Sequence, residues 1–352
     1  MQRREFLSWC GSAGAVGLAG CTDAELQESS GGTSLVENRP EAVYYPTHVD
    51  GMQLTEVRKD GAYKCILAYT FPHRFWLVTG DRKNKVELNE NDSMHLMPVV
   101  WHQETGIVPA DLNPQVRVRL DGEAVTSLSP WPMLSQPMGF HFGDNVRLPE
   151  EATYQIEVSV GDGSVNRAGI LADAGPASFT FSLEYSQAKM DDITYRNISE
   201  EKQGTKGAVS PMKMNGLPST QLPKPSGLPG SVRGTVTSGD GKFVVTTLDD
   251  ATRFDHKENE VYLAVSARTP YNRYPLPLMS LSAIQKRSSE IIYDNILQPR
   301  IDSNLGYHYG AAVSDVESGD ELTITIDALP QTARHEGYET AFFEMPEMTL
   351  KL

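Results

Sequence analysis

Apolar and polar residues alternate along much of the chain. Val116, Val118 and Leu120 alternate with polar neighbours, as do Tyr154, Ile156, Val158 and Val160, and then Phe179, Phe181, Leu183 and Tyr185. Such period-2 runs, broken by Gly, Pro, Asn and Asp clusters, predict antiparallel strands with one wet face. Between Glu41 and Ser186 no stretch sustains a helical period. Residues 187–230 are rich in Pro, Gly, Ser and Lys and predict a linker. Strand signals resume at Lys242-Phe-Val-Val-Thr-Thr-Leu and continue through Val261, Leu263 and Val265, then Leu322, Ile324 and Ile326. The pattern predicts an all-β chain of two tandem Ig-like antiparallel β-sandwich domains, at 41–186 and 231–352.

An internal repeat joins the two. Gly139-Phe-His-Phe-Gly-Asp-Asn-Val146 matches Gly306-Tyr-His-Tyr-Gly-Ala-Ala-Val313 at an offset of 167 residues. An acidic turn and an alternating strand follow each octet. At the same offset Met94-His95-Leu96 faces Val261-Tyr262-Leu263. The repeat reads as a diverged duplication.

The first 20 residues give an address. Arg3 and Arg4 followed by Phe6 and Leu7 form a twin-arginine export signature. A short apolar stretch, too short to span a bilayer permanently, ends in Leu18-Ala19-Gly20-Cys21. That ending resembles a lipobox, with Cys21 as the lipidation site. Residues 1–20 are therefore expected to be a lipoprotein signal and 21–40 a flexible tether. The expected location is the outer face of the cytoplasmic membrane, held by the lipid. Removal of the signal takes Cys10, and lipid takes Cys21. Cys65 is left as a lone thiol in a strand-like run, expected to be buried core.

Composition narrows the partners. Hydrophobic residues make up 39% of the 352, which excludes global disorder. Lys and Arg number 31 against 46 Asp and Glu, for a net charge of −15. An acidic surface repels phosphate backbones, so nucleic acid is an unfavourable partner. The same surface suits a halophilic setting.

Eight His and twelve Met supply the candidate chemistry. Met94, His95, Met97 and His102 form one cluster; Met133, Met138 and His141 form another. His95 and Met97 lie on one strand face. If the two segments are neighbours in a sheet, imidazole and thioether converge into a donor set that copper accepts, above all Cu(I). His73, in Phe-Pro-His-Arg-Phe-Trp, reads as a residue packed among aromatic rings, and His48 and His256 as isolated loop residues. No phosphate loop, nucleophile elbow, CxxC or HExxH motif is present, so no enzyme activity is expected.

The stretches SMHLMP (93–98), PWPMLSQPMGFHFGDNVRLP (130–149) and TYQIEV (153–158) resemble the periplasmic, iron-transport-associated, copper-binding Ig-like family, the FetP-like family. The resemblance covers about 90–186 and, more faintly, 260–345. It implies a sandwich that binds copper through Met and His and assists iron uptake beside a metal-ion permease. It implies His95, Met133 and His141 as ligands, with Met97 or Met138 as auxiliary sulfur. Met97 stands where the family has a glutamate, which favours a softer ion. The family's last His is missing from the first copy, where Asn166-Arg167-Ala168 stands, and matches His335 in Arg334-His335-Glu336-Gly337. His308 matches the octet His, while Tyr262 and Arg300 replace two ligands. Three outcomes stay open: a three-ligand site in the first copy with a fainter one at His308 and His335, a homodimer or intramolecular pseudo-dimer that shares sites, or two decayed sites in a structural or interaction lipoprotein.

Overall fold

The computed structural model describes residues 35–254, 257 and 259–352. Arg3, Arg4, Cys21, His256 and most of the 21–40 segment lie outside the described residues. Among the described residues no helix is long and apolar enough to cross a membrane.

The chain is all-β, built mainly from antiparallel sheets. In the first half, one sheet runs Gln53–Leu54, Tyr63–Thr70, Met94–His102, Gly139–Val146, Trp131–Ser135, Ala333–Arg334, Phe75–Thr79 and Arg82–Val86. Opposite it lies a four-stranded sheet of Ala177–Tyr185, Ala152–Val160, Gln115–Leu120 and Glu123–Leu128. The period-2 positions close the sandwich: Val116, Val118, Ile156, Val158, Phe179 and Phe181 meet Cys65, Leu67, Leu96 and Val100. Cys65 is fully buried in that core. Burial pushes its thiol up, so it is a packed residue and no thiolate.

The Met94–His102 strand is buried at every position. Met94, Leu96 and Val100 face the sandwich core, while Val99 and Trp101 pack in a separate cluster with Ile66. Side chains alternate across a strand, so His95 and Met97 share the face of Val99 and Trp101. That outer face would be wet in an isolated sandwich. Here other parts of the chain cover it, and this is what makes room for a buried polar site.

The second half is one sheet: Ser231–Ser238, Gly241–Leu248, Val261–Arg268, Gly306–Val313, Glu290–Asp302, Ser280–Arg287, Glu321–Ala328 and Met348–Lys351. The long Glu290–Asp302 strand pairs with Gly306–Val313 at one end and Ser280–Arg287 at the other, so the sheet folds over its own core.

Strand pairing crosses the expected boundaries. Ala333–Arg334, from the second half, pairs in parallel with Met133 and Leu134. Asn166–Arg167, from the first half, pairs in parallel with Arg300 and Ile301. Each half thus lends a short late strand to the other. Residues 187–230 run between the halves as a strap. Met212 N donates to Pro137 O (2.8 Å), Leu222 N to Arg273 O (2.8 Å), and Arg268 Nη1 to Pro223 O (2.7 Å). The side chain of buried Gln136 ties three segments: Nε2 donates to Tyr44 O (2.6 Å) and Gly337 O (3.2 Å), and Oε1 accepts from Val209 N (2.8 Å). Backbone groups that would be orphaned at such a seam are paired this way.

Candidate metal centre

Register brings the octet beside the His-Met strand. Asn145 stands opposite His95, and Met133 stands opposite His141. His95, His141 and Met133 therefore share the covered outer face. Gly143 lies between them for a steric reason: a Cβ there would sit 2.5 Å from His95 Nε2 and 3.2 Å from Met97 Cγ.

The borrowed strand delivers a third imidazole. His335 N donates to Leu134 O at 3.0 Å, which fixes the chain just past Arg334. Arg334 itself is buried, donates to the carbonyls of Ala341 and Pro330, and stacks on Phe343. The His335 ring then lies 5.3 Å from that of His141 and 5.7 Å from that of His95, centroid to centroid. A fourth imidazole comes from the loop after Tyr63–Thr70. His73 stacks on His95 at 4.2 Å and meets His335 edge-on at 4.7 Å.

One ligand atom from each of His73, His95 and His335 lies within 4.8 Å of the others. Two imidazole nitrogens on one ion at about 2.0–2.1 Å stand about 3.3–4.2 Å apart, so small side-chain adjustments would close this set on a cation.

The hydrogen bonds choose the tautomers. His95 Nδ1 lies 2.9 Å from Asn145 Oδ1, and His141 Nδ1 lies 3.0 Å from Gly139 O. Those oxygens can only accept, so both Nδ1 atoms carry the proton and both Nε2 atoms hold lone pairs. Nε2 of His95, His141 and His335, and both ring nitrogens of His73, are buried with no hydrogen-bond partner. Asn145 also orients His73, donating from Nδ2 to its carbonyl at 3.0 Å. Buried polar atoms without partners are rare, and four such rings in one place call for a ligand.

Burial also keeps the rings neutral. It pulls His95 down to about 3 and His141 to about 4, against an ordinary value of 6.5. Burial, then the neighbouring imidazoles, hold His73 and His335 well below that value. Neutral imidazole is the metal-binding form.

A cleft opens onto the cluster, lined by His73, Met97, Met138, His141 and His335, with Asp50 at its side. Asp50 Oδ2 is 3.9 Å from His73 Nδ1, and its Oδ1 is 3.5 Å from His48 Nε2. Met133 is fully buried with Phe75 and Ala333, and Phe75 touches the His95 ring.

The sequence-derived residues thus divide. His95 and His335 come together with His73, and His141 stands beside them outside that closest set, its ring 5.3 Å from that of His335, with Met133 on their face and Met97 and Met138 on the cleft. His308 does not join them. Its Nδ1 donates to Gly306 O (3.0 Å) and its Nε2 accepts from Tyr262 Oη (3.0 Å), beside Phe254. His308 and His335 therefore form no joint second site, because the borrowed strand carries His335 into the other half. The sequence places His73 among aromatic side chains, yet its ring partners are His95 and His335. Thr70 pairs with His95, so only the register reveals that a residue three places on reaches the cluster.

Residues 226–351 match the model of a family described as a domain of unknown function (DUF7350). No curated protein matches. Among solved structures, a copper-bound variant of FetP from uropathogenic Escherichia coli strain F11 has 13% identity and a TM-score of 0.28, covering 39% of this chain and 97% of its own. An as-isolated FetP of the same strain has 12% identity and a TM-score of 0.28, covering 39% and 95%. At these values neither likeness bears on the site.

Proposed function

We propose that this chain is a lipid-anchored, extracytoplasmic metal-binding protein that captures copper at His73, His95, His141 and His335 and hands it on to a membrane permease. The observation that carries the reading is the convergence of four neutral imidazoles, two buried and two half-buried, whose Nε2 atoms are buried with no hydrogen-bond partner. The donor set favours copper over iron. Neutral nitrogen suits Cu(I) and Cu(II), and the sulfurs of Met97, Met133 and Met138 bias the site toward Cu(I). Hard ions would want several carboxylates; here Asp50 stands beside the cluster, 3.9 Å from His73 Nδ1, while Glu336 is already engaged by Thr47 and Val36. The acidic surface, net −15, would concentrate cations nearby. The role is binding and delivery, with no catalytic turnover.

In the same reading the two halves are diverged copies fused into an intramolecular pseudo-dimer. Each copy's late strand completes the other's sheet, so the ligand absent from the first copy arrives from the second.

Metal titration of the full chain tests this, with a His95→Ala/His141→Ala variant beside it. Cu(I) should bind one per chain, tighter than about 1 µM, and the variant should lose it. Failure of Cu(I), Cu(II) and Fe(II) alike to reach that affinity sinks the proposal. The rival reading is a structural or interaction lipoprotein. Its support is His308, where the same octet serves as plain packed scaffold.

A further inference from the structure

Methionines outside the imidazole cluster remain unexplained. Two clefts meet at Met52, Pro137, Met138 and His141. The inner one continues to Met97 and His335. The outer one continues to the surface along the strap, past Met212 and Met214. His141, with its unpartnered Nε2, lies on the wall of both.

Met52, Met138, Met212 and Met214 are each partly exposed. A methionine that only fills core gains its energy from full burial, and these four forgo part of it. The strap holds them in place. Met212 N donates to Pro137 O at 2.8 Å, Thr220 Oγ1 to Met138 O at 3.0 Å, and Leu217 packs with Met138 against Ile66 and Val99. Among the described residues no carboxylate lines the outer cleft, and Lys213 gives it a positive charge. That charge repels any cation, a divalent one most, and a hard ion finds no anionic ligand there to offset it. A soft monovalent cation finds neutral thioethers leading inward.

We propose that Met52, Met138, Met212 and Met214 form a thioether track that admits Cu(I), or Ag(I) as its redox-inert analogue, and passes it to His141. The proposal rests on the copper reading of the imidazole cluster. It assigns the strap a second job: one stretch of chain both seals the outer face and lines the entrance.

The test is a Met212→Leu/Met214→Leu variant of the full chain. Both positions are partly exposed and the swap is nearly isosteric, so folding should survive. Loading is followed by stopped flow from a Cu(I)-chelator complex, and affinity by equilibrium competition. Cu(I) loading should slow at least about tenfold while affinity stays within about twofold and Cu(II) loading is unchanged. Equal loading rates in wild type and variant overturn the track and leave the imidazole site standing. Slowing of Cu(I) and Cu(II) alike also overturns it, because the effect is then one of shape and not of sulfur. In a His95→Ala/His141→Ala chain, Ag(I) should still perturb the methyl NMR signals of Met138, Met212 and Met214. Unperturbed signals there refute thioether binding. A wild type that takes up no copper overturns the copper reading and the track with it.

Discussion

The two halves place an imidazole in the same backbone setting and use it in opposite ways. His141 and His308 each tether Nδ1 to the carbonyl of a glycine two residues earlier, at 3.0 Å in both. Each octet pairs with its neighbours in the same register: Val146 with Met94 and Val313 with Val261; His141 with Met133 and His308 with Arg300. Each has a glycine that a side chain from the facing strand makes obligatory. A Cβ on Gly143 would meet the His95 ring, and one on Gly310 would meet the Tyr262 hydroxyl. Even the borrowed strands agree: His335 N donates to Leu134 O and Ala168 N to Ile301 O, both at 3.0 Å.

What differs is the set of facing side chains. His95 is replaced by Tyr262, Met133 by Arg300, and His335 by Ala168. The ring stacked on that position changes from His73 at 4.2 Å to Phe254 at 3.8 Å. In the second half the Tyr262 hydroxyl satisfies the His308 lone pair, and an apolar cluster of Ala168, Phe254 and Leu305 closes around it. In the first half the lone pairs stay open. The octet is therefore scaffold, and its neighbours decide whether the imidazole is structural or available.

Acid should expose this contrast most strongly. In the unfolded chain these histidines take up protons near 6.5, whereas the folded values of His95 and His141 are about 3 and about 4. Folding stability from these groups is complete above 6.5 and drains away as pH falls toward the folded values. The loss is about 1.4 kcal/mol per histidine for each pH unit in that window. Among the described residues, the four clustered histidines and His102, which burial also lowers, lie in the first sandwich, against His308 in the second. Hydrogen exchange in the metal-free protein should therefore show the first half opening earlier on acidification. Bound copper should move the transition to lower pH. Equal protection of both halves at pH ~4.5, inside the window those values define, would contradict the assignment.

Single substitutions sharpen it further. His335→Ala should weaken Cu(I) binding about 100-fold by competition assay, while His308→Ala should leave affinity unchanged. His308→Ala should instead lower thermal stability, by about 1–3 kcal/mol, because the Tyr262 hydroxyl loses its buried partner. Asn145→Ala frees the His95 ring to rotate and should cost about tenfold in affinity. Met133→Leu keeps the volume and removes the sulfur. It should weaken Cu(I) several-fold, at most about tenfold, and spare Cu(II).

The fold class was legible because period 2 needs no tertiary knowledge: Tyr154, Ile156, Val158 and Val160 announce a strand wherever it lies. His95, Met97, Met133, Met138 and His141 were legible as local clusters, and His335 as the last motif residue. Where His335 goes was not legible, since strand exchange depends on how two sandwiches dock and local pattern carries no trace of docking. His73 was missed for a related reason. Its neighbours Phe71, Phe75 and Trp76 suggest an aromatic nest, and only the Thr70–His95 register turns the ring toward the imidazoles. The strap read as a linker because proline and glycine mark irregular backbone equally well on a surface and in a seam.

The loan of Ala333–Arg334 to the first sheet has a bearing on biosynthesis. Most of the cluster is encoded in residues 73–141, but its last imidazole leaves the ribosome about 200 residues later. Until then the nascent polypeptide presents an unfinished receptacle. A fragment cut short before residue 335 should fail to sequester the ion however well its own sandwich folds. On the copper reading, the site is therefore armed only after residue 335 has been made, long after the other three imidazoles.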